Sequence, residues 1–363
     1  MTPNSAQPLV PVRPELRGRT PYGAPQLNVA VLLNTNENPH RPSPTLVEAI
    51  TRACRDAAAG LNRYPDREAT TLRTLLADYL TETTGTPLTQ NQVWAANGSN
   101  EIMQQLMQAF AGPGRTVLGF EPTYSMHRTI AEATGASYLS VPRRADFTVD
   151  LDRAVDSVRR HQPDVVFLCT PNNPSGTSAP LDLVTALYDA FAGLLIVDEA
   201  YAEFSTRPSA TTLLTGRPRL VVARTMSKAF AFAGARVGYL AAHPDVVDAL
   251  RLVCLPYHLS SLTQTVAVTA LKHRAEILST IDQVIAQRDR LLRELPALGY
   301  PVSPSDANFV LFRTRQDATV LWRRLLVDHQ VLVRDVGLDG HLRVSAGTAD
   351  ETNAFLNALE AAP

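Results

Sequence analysis

The chain has 363 residues, room for one large domain or two of ordinary size. Hydrophobic residues make up 45% and charged ones 19%, a balance that excludes a disordered chain and gives a sizeable core. Lys plus Arg total 34 and Asp plus Glu 35, a net charge of −1. That lacks the broad positive field of a nucleic-acid binder while leaving room for a local anion site.

Residues 1–43 read as an extended arm. Pro3, Pro8, Pro11, Pro14, Pro21, Pro25, Pro39 and Pro42 are too dense for a helix. The first residues hold no apolar signal-peptide core, and no run approaches the ~18 residues of a membrane span. From Pro44, Leu46, Val47, Ile50, Ala53 and Cys54 recur at helical spacing, and a second helix is expected over 68–79. Short apolar runs at 93–96, 116–120, 165–169, 194–197, 220–223 and 237–241 then alternate with helical segments. Several are apolar on both faces, so the pattern predicts an α/β domain with a mostly parallel mixed sheet. Residues 267–295 read as a long, mainly helical link. Beyond it, strands at 309–312, 331–333 and 342–345 and a C-terminal helix predict a smaller α+β domain. The expected division is an arm at 1–43, a large domain at 44–255 and a small one at 256–363. Cys54, Cys169 and Cys254 are far apart with no CxxC pair, which suits a reducing cytoplasm better than zinc or disulfides.

The polar residues at the ends of the apolar runs carry the chemistry. RTMSKAF (224–230) puts Lys228 just beyond a buried strand, where open α/β sheets place ligands. Asp198 ends another such strand in LLIVDEAY (194–201), with Tyr201 three residues on. TPNNPSG (170–176) closes a third with two side-chain amides, and NGSNE (97–101) opens a helix with Ser99 and Asn100 in capping positions. Arg236 follows Lys228 by eight residues.

This ordered series, with PTY at 122–124, resembles the fold-type-I pyridoxal-phosphate aminotransferases over most of the chain. The resemblance implies an aspartate aminotransferase-like fold and pyridoxal 5'-phosphate as cofactor. Lys228 would hold the cofactor covalently and then move the proton, while Asp198 would pair with the pyridine nitrogen. Asn173 and Tyr201 would bond the ring's 3-oxygen, and Tyr124 would stack on the ring face. Gly98 and Ser99 would offer N–H groups to the phosphate at a helix N-terminus, with Thr225, Ser227 and Arg236 completing its shell. Tyr64, in NRYPD (62–66), matches a tyrosine the family supplies from a partner subunit, so a homodimer with shared active sites is implied.

Within that family LNTNENP (33–39), RTPY (19–22), RYPD (63–66) and LPYHLS (255–260) are similar to the histidinol-phosphate aminotransferases. These exchange an amino group between L-histidinol phosphate and 2-oxoglutarate, yielding imidazole acetol phosphate and L-glutamate in histidine synthesis. Arg343 matches the family arginine that grips the substrate anion, and Arg334 on a neighbouring run could supply a second cation. Tyr22, Tyr124 and Tyr257 could box the imidazole, with Asn100 as a polar contact. The same box accepts a phenyl ring, so an aromatic amino-acid aminotransferase is the alternative. The eight histidines read as structural or surface residues.

Overall fold

The computed structural model describes residues 10–13, 16–18, 21 and 23–361. The arm carries one short strand, β1 (Val31–Leu32). Ser43 caps α1 (Pro44–Ala58) by accepting the Leu46 N–H, and Pro44 supplies a preset first turn. The second helix, α2 (Thr70–Thr84), starts two residues later than expected and ends at left-handed Gly85.

Seven strands form the main sheet: β2 (Val93–Ala96), β3 (Thr116–Glu121), β4 (Ser137–Pro142), β5 (Val165–Cys169), β6 (Leu194–Asp198), β7 (Leu220–Thr225) and β8 (Gly238–Ala242). Between them run α3 (Ser99–Phe110), α4 (Met126–Ala133), α5 (Leu151–His161) and α6 (Leu181–Ala190). The strand order is β2-β8-β7-β6-β5-β3-β4. Strands β3 to β7 run parallel to their sheet neighbours among themselves, while β8 is antiparallel to both β2 and β7. Every residue of β5, β6 and β7 is buried. Val166, Leu168, Leu195, Val197 and Val222 enter one core, and Val165, Phe167, Ile196 and Val221 another, because helices cover both sheet faces. The unexpected strand β4 is an edge strand, half of its residues exposed and with Ser137 and Ser140 along it, so it lacks the apolar signature of its neighbours.

After α7 (Pro244–Val253), the expected long helical link is three helices: α8 (Ser261–Lys272), α9 (Arg274–Leu278) and α10 (Ile281–Ala297). Helix α8 lies against α1, with Ala267, Ala270 and Leu271 buried in the larger unit's core. The chain therefore leaves that unit through α10, not at the expected limit of 255. The smaller unit holds β9 (Phe309–Arg313), α11 (Ala318–His329), β10 (Val331–Leu332), β11 (Arg334–Asp335), β12 (His341–Ser345) and α12 (Ala349–Glu360). Its sheet runs β11-β12-β9, antiparallel throughout. Strand β1 pairs in parallel with β10, Val31 opposite Val331, which ties the arm to this unit. The carboxyl ends of β5, β6 and β7 thereby face a wall built from the arm, β11 and β12.

Candidate active site

A cleft of about 430 Å³ opens between those strand ends and that wall. Ser99, Asn100, Tyr124, Asn173, Asp198, Tyr201, Thr225, Ser227, Lys228, Arg236, Arg334 and Arg343 all line it. Residues far apart in the sequence, from Ser99 to Arg343, thus converge on one volume.

One end of the cleft is shaped for an anion. Gly98 precedes α3 with φ +89°, and a Cβ there would lie 2.5 Å from the Arg236 guanidinium. Gly238 lets β8 approach equally closely, since its Cβ would fall 2.2 Å from the Ser99 nitrogen. The α3 N-terminus, the Arg236 fork and the Thr225 and Ser227 hydroxyls, 3.0 Å apart, make a cradle of donors.

At the centre, Asp198 is buried at the tip of β6. One carboxylate oxygen accepts the Ala200 N–H and the other contacts Nε2 of His127 at 2.9 Å. His127 is itself buried and stacks on Phe167 with ring centroids 4.4 Å apart. It was not among the expected site residues. Its one sequence signal is a position three residues after Tyr124, at the start of α4.

Lys228 donates from Nζ to the Thr35 carbonyl at 2.9 Å. Loss of hydration and then the Arg343 guanidinium pull its ammonium down to about 8, with Glu37 opposing the shift. Tyr201 receives N–H groups from Asn36 at 3.1 Å and Asn173 at 3.2 Å, so its own O–H proton is available to the cleft. Burial raises its pKa and keeps the phenol neutral.

At the far end, Arg343 is 6% exposed, donates to Asn173 Oδ1 and, at 2.9 Å, to the Asn34 carbonyl, and lies over the Phe309 ring. Arg334 sits directly opposite it in the β11–β12 register. Two cations opposite one another disfavour a sheet unless an anion joins them. Asn34, Thr35, Asn36 and Glu37 also line the cleft, so a stretch of the proline-rich arm is part of the site.

Two expected tyrosines among the described residues are not brought into the cleft of this chain. Tyr64, 79% exposed, stacks on Tyr257, 40% exposed, at 4.4 Å on the surface. Tyr22 lies outside the described residues.

The model of the family described as aminotransferase class I and II matches residues 28–359. The histidinol-phosphate aminotransferase of Frankia casuarinae is 60% identical over 356 residues, covering 96% of this chain and 89% of that protein. That of Mycolicibacterium smegmatis is 58% identical, covering 96% and 92%. Among solved structures, the histidinol-phosphate aminotransferase of Sinorhizobium meliloti in complex with pyridoxal 5'-phosphate superimposes with a TM-score of 0.81 at 26% identity, covering 92% of this chain and 90% of that one.

Proposed function

The chain belongs to the class I and II aminotransferase family, and from that premise we propose that it exchanges an amino group between L-histidinol phosphate and 2-oxoglutarate. The products are imidazole acetol phosphate and L-glutamate, a step of histidine synthesis. It is a pyridoxal 5'-phosphate-dependent transaminase. The residues present fit the cofactor: a glycine cradle that a Cβ would fill, a buried carboxylate and a lysine amine of depressed basicity line one cleft.

The cofactor supplies an aldehyde for amine exchange and a protonated pyridine ring that withdraws electrons from the substrate carbon. The side chains of this protein do the rest. Asp198, held by His127 and the Ala200 N–H, would pair with the ring nitrogen and favour its protonated form. Lys228 would hold the cofactor through its aldehyde and, when its amine is free, would serve as general base and acid at the substrate carbon. Tyr201 and Asn173 would hydrogen-bond the ring's 3-oxygen, and Tyr124 would stack on the ring. Gly98, Ser99, Thr225, Ser227 and Arg236 anchor the phosphate. Arg343 and Arg334 take the substrate anion, phosphate in one half-reaction and carboxylate in the other.

The single observation that carries this reading is the shared cleft of Lys228, Asp198 and the opposed Arg334–Arg343 pair. A second copy of the chain completes the site: Tyr64 would reach the partner's cofactor phosphate, and Tyr257 with Tyr22 its substrate ring. The exposed Leu252 and Leu255, shortly before Tyr257 in the sequence, would supply apolar surface for that contact. No helix among the described residues is long and apolar enough to cross a membrane. The three cysteines are free, in keeping with a cytoplasmic setting.

Comparing kcat/KM for histidinol phosphate and phenylalanine, each with 2-oxoglutarate, tests the assignment. Histidinol phosphate should be preferred by at least an order of magnitude. A preference for phenylalanine would transfer the chain to aromatic amino-acid transamination.

A further inference from the structure

The cleft is built for anions, and one group in it contradicts that purpose. Four cationic side chains line it: Lys228, Arg236, Arg334 and Arg343. The acidic side chains that line it, among the described residues, are Asp198 and Glu37. Asp198 is engaged by His127 and the Ala200 N–H. Glu37 stands apart at the exposed rim, where Oε2 accepts the Thr35 hydroxyl at 2.8 Å. The same Thr35 accepts Lys228 Nζ on its carbonyl, so Glu37 flanks the reacting amine.

The backbone sets Glu37 there with some care. Asn36 takes a left-handed φ of +54°, which asparagine tolerates better than most residues. Its backbone N–H donates to Ser345 Oγ at 2.9 Å, and its carbonyl accepts Asn308 Nδ2 at 3.0 Å. The buried Asn36 is thereby pinned to the smaller unit while the next side chain turns toward the cleft. A carboxylate beside a site for phosphate costs binding through like-charge repulsion. Its presence there favours a ligand that brings a compensating donor. Neither 2-oxoglutarate nor a phenyl ring carries one, whereas an imidazole N–H does.

We propose that Glu37 is a specificity-determining residue that accepts a hydrogen bond from the imidazole of the amino donor and selects that ring over an apolar one. This inference rests on the histidinol-phosphate reading and names the group that distinguishes it from aromatic transamination.

The test compares L-histidinol phosphate with O-phospho-L-phenylalaninol, which keeps the amine and phosphate and changes only the ring. Steady-state kcat and KM are measured for the cofactor-loaded wild type, Glu37→Gln and Glu37→Asp, with cofactor absorbance confirming an intact site. Glu37→Gln should raise KM for histidinol phosphate about tenfold with kcat changed much less, and lower the discrimination between the two rings about tenfold. Glu37→Asp, which keeps the charge, should recover part of it. Discrimination unchanged in Glu37→Gln, or both substrates weakened equally, overturns the role of Glu37 while leaving the transaminase reading intact. A wild type that prefers the phenyl compound overturns the reading and this role together.

Discussion

Lys228 shares its cleft with Arg343 and Arg236, and its ammonium loses hydration there, so the amine gives up its proton near pH 8 rather than 10.5. Below about 8 both folded and unfolded chains hold that proton and the folded one bears the full cost. Between 8 and 10.5 the unfolded chain binds the proton more, so the cost is relieved as pH rises. The chemical consequence is the more useful one, because only the neutral amine attacks an aldehyde. The rate at which cofactor-free protein captures pyridoxal 5'-phosphate should climb with pH and level off just above 8. A rate still climbing steeply at pH 10 would contradict the depressed basicity. Lys228 and Asp198 were legible because each lies at or just beyond the end of an apolar strand, and Arg343 because it lies within a recognisable string; the three line one cleft. His127 was not, since nothing local says that the first turns of α4 point toward a carboxylate 71 residues away.

Elements matter here chiefly where two of them touch without side chains between. Strand β8 passes the start of α3 at Gly238, and the cradle keeps its shape because neither chain carries a Cβ at the crossing. Gly238→Ala should push β8 and the Gly98–Ser99 turn apart, lowering stability by about 1–3 kcal/mol, the usual cost of overpacking. Cofactor affinity should fall with it. Thermal unfolding and cofactor titration of the variant check both, and wild-type values in each would show that the contact is slack. The buried strands β5, β6 and β7 were readable as apolar runs, whereas α3 starts after Gly98 with no side-chain cap, although Ser99 and Asn100 were expected to cap it. The arm segment Asn34–Glu37 was not readable as a wall of the site. Its polarity suits a linker, and its burial comes from partners more than 250 positions away, Ser345 and Asn308. The breaks between α8, α9 and α10 were hidden for a similar reason. Residues 267–295 contain no Gly or Pro, and the Thr280 hydroxyl that marks the last break is engaged by Asn38 of the arm.

Taken as a whole, the molecule has two lysines, Lys228 and Lys272, against a combined 34 Lys and Arg. Nearly every cationic position is arginine, which cannot bond an aldehyde reversibly near neutral pH because it does not give up its proton. Lys272 is an exposed residue in the last turn of α8, an ordinary place for a cation. Lys228 is the lysine that shares a cleft with a buried carboxylate and a cradle of hydrogen-bond donors. Helix α8 packs on α1 in the larger core, beyond the expected limit of 255, by contacts that no local pattern reveals. Borohydride reduction of the protein loaded with pyridoxal 5'-phosphate, followed by peptide mass mapping, puts the account to its most direct trial. The cofactor mass should appear on the peptide containing Lys228 and be absent from the one containing Lys272. Label on Lys272 alone, or on neither lysine, would contradict it.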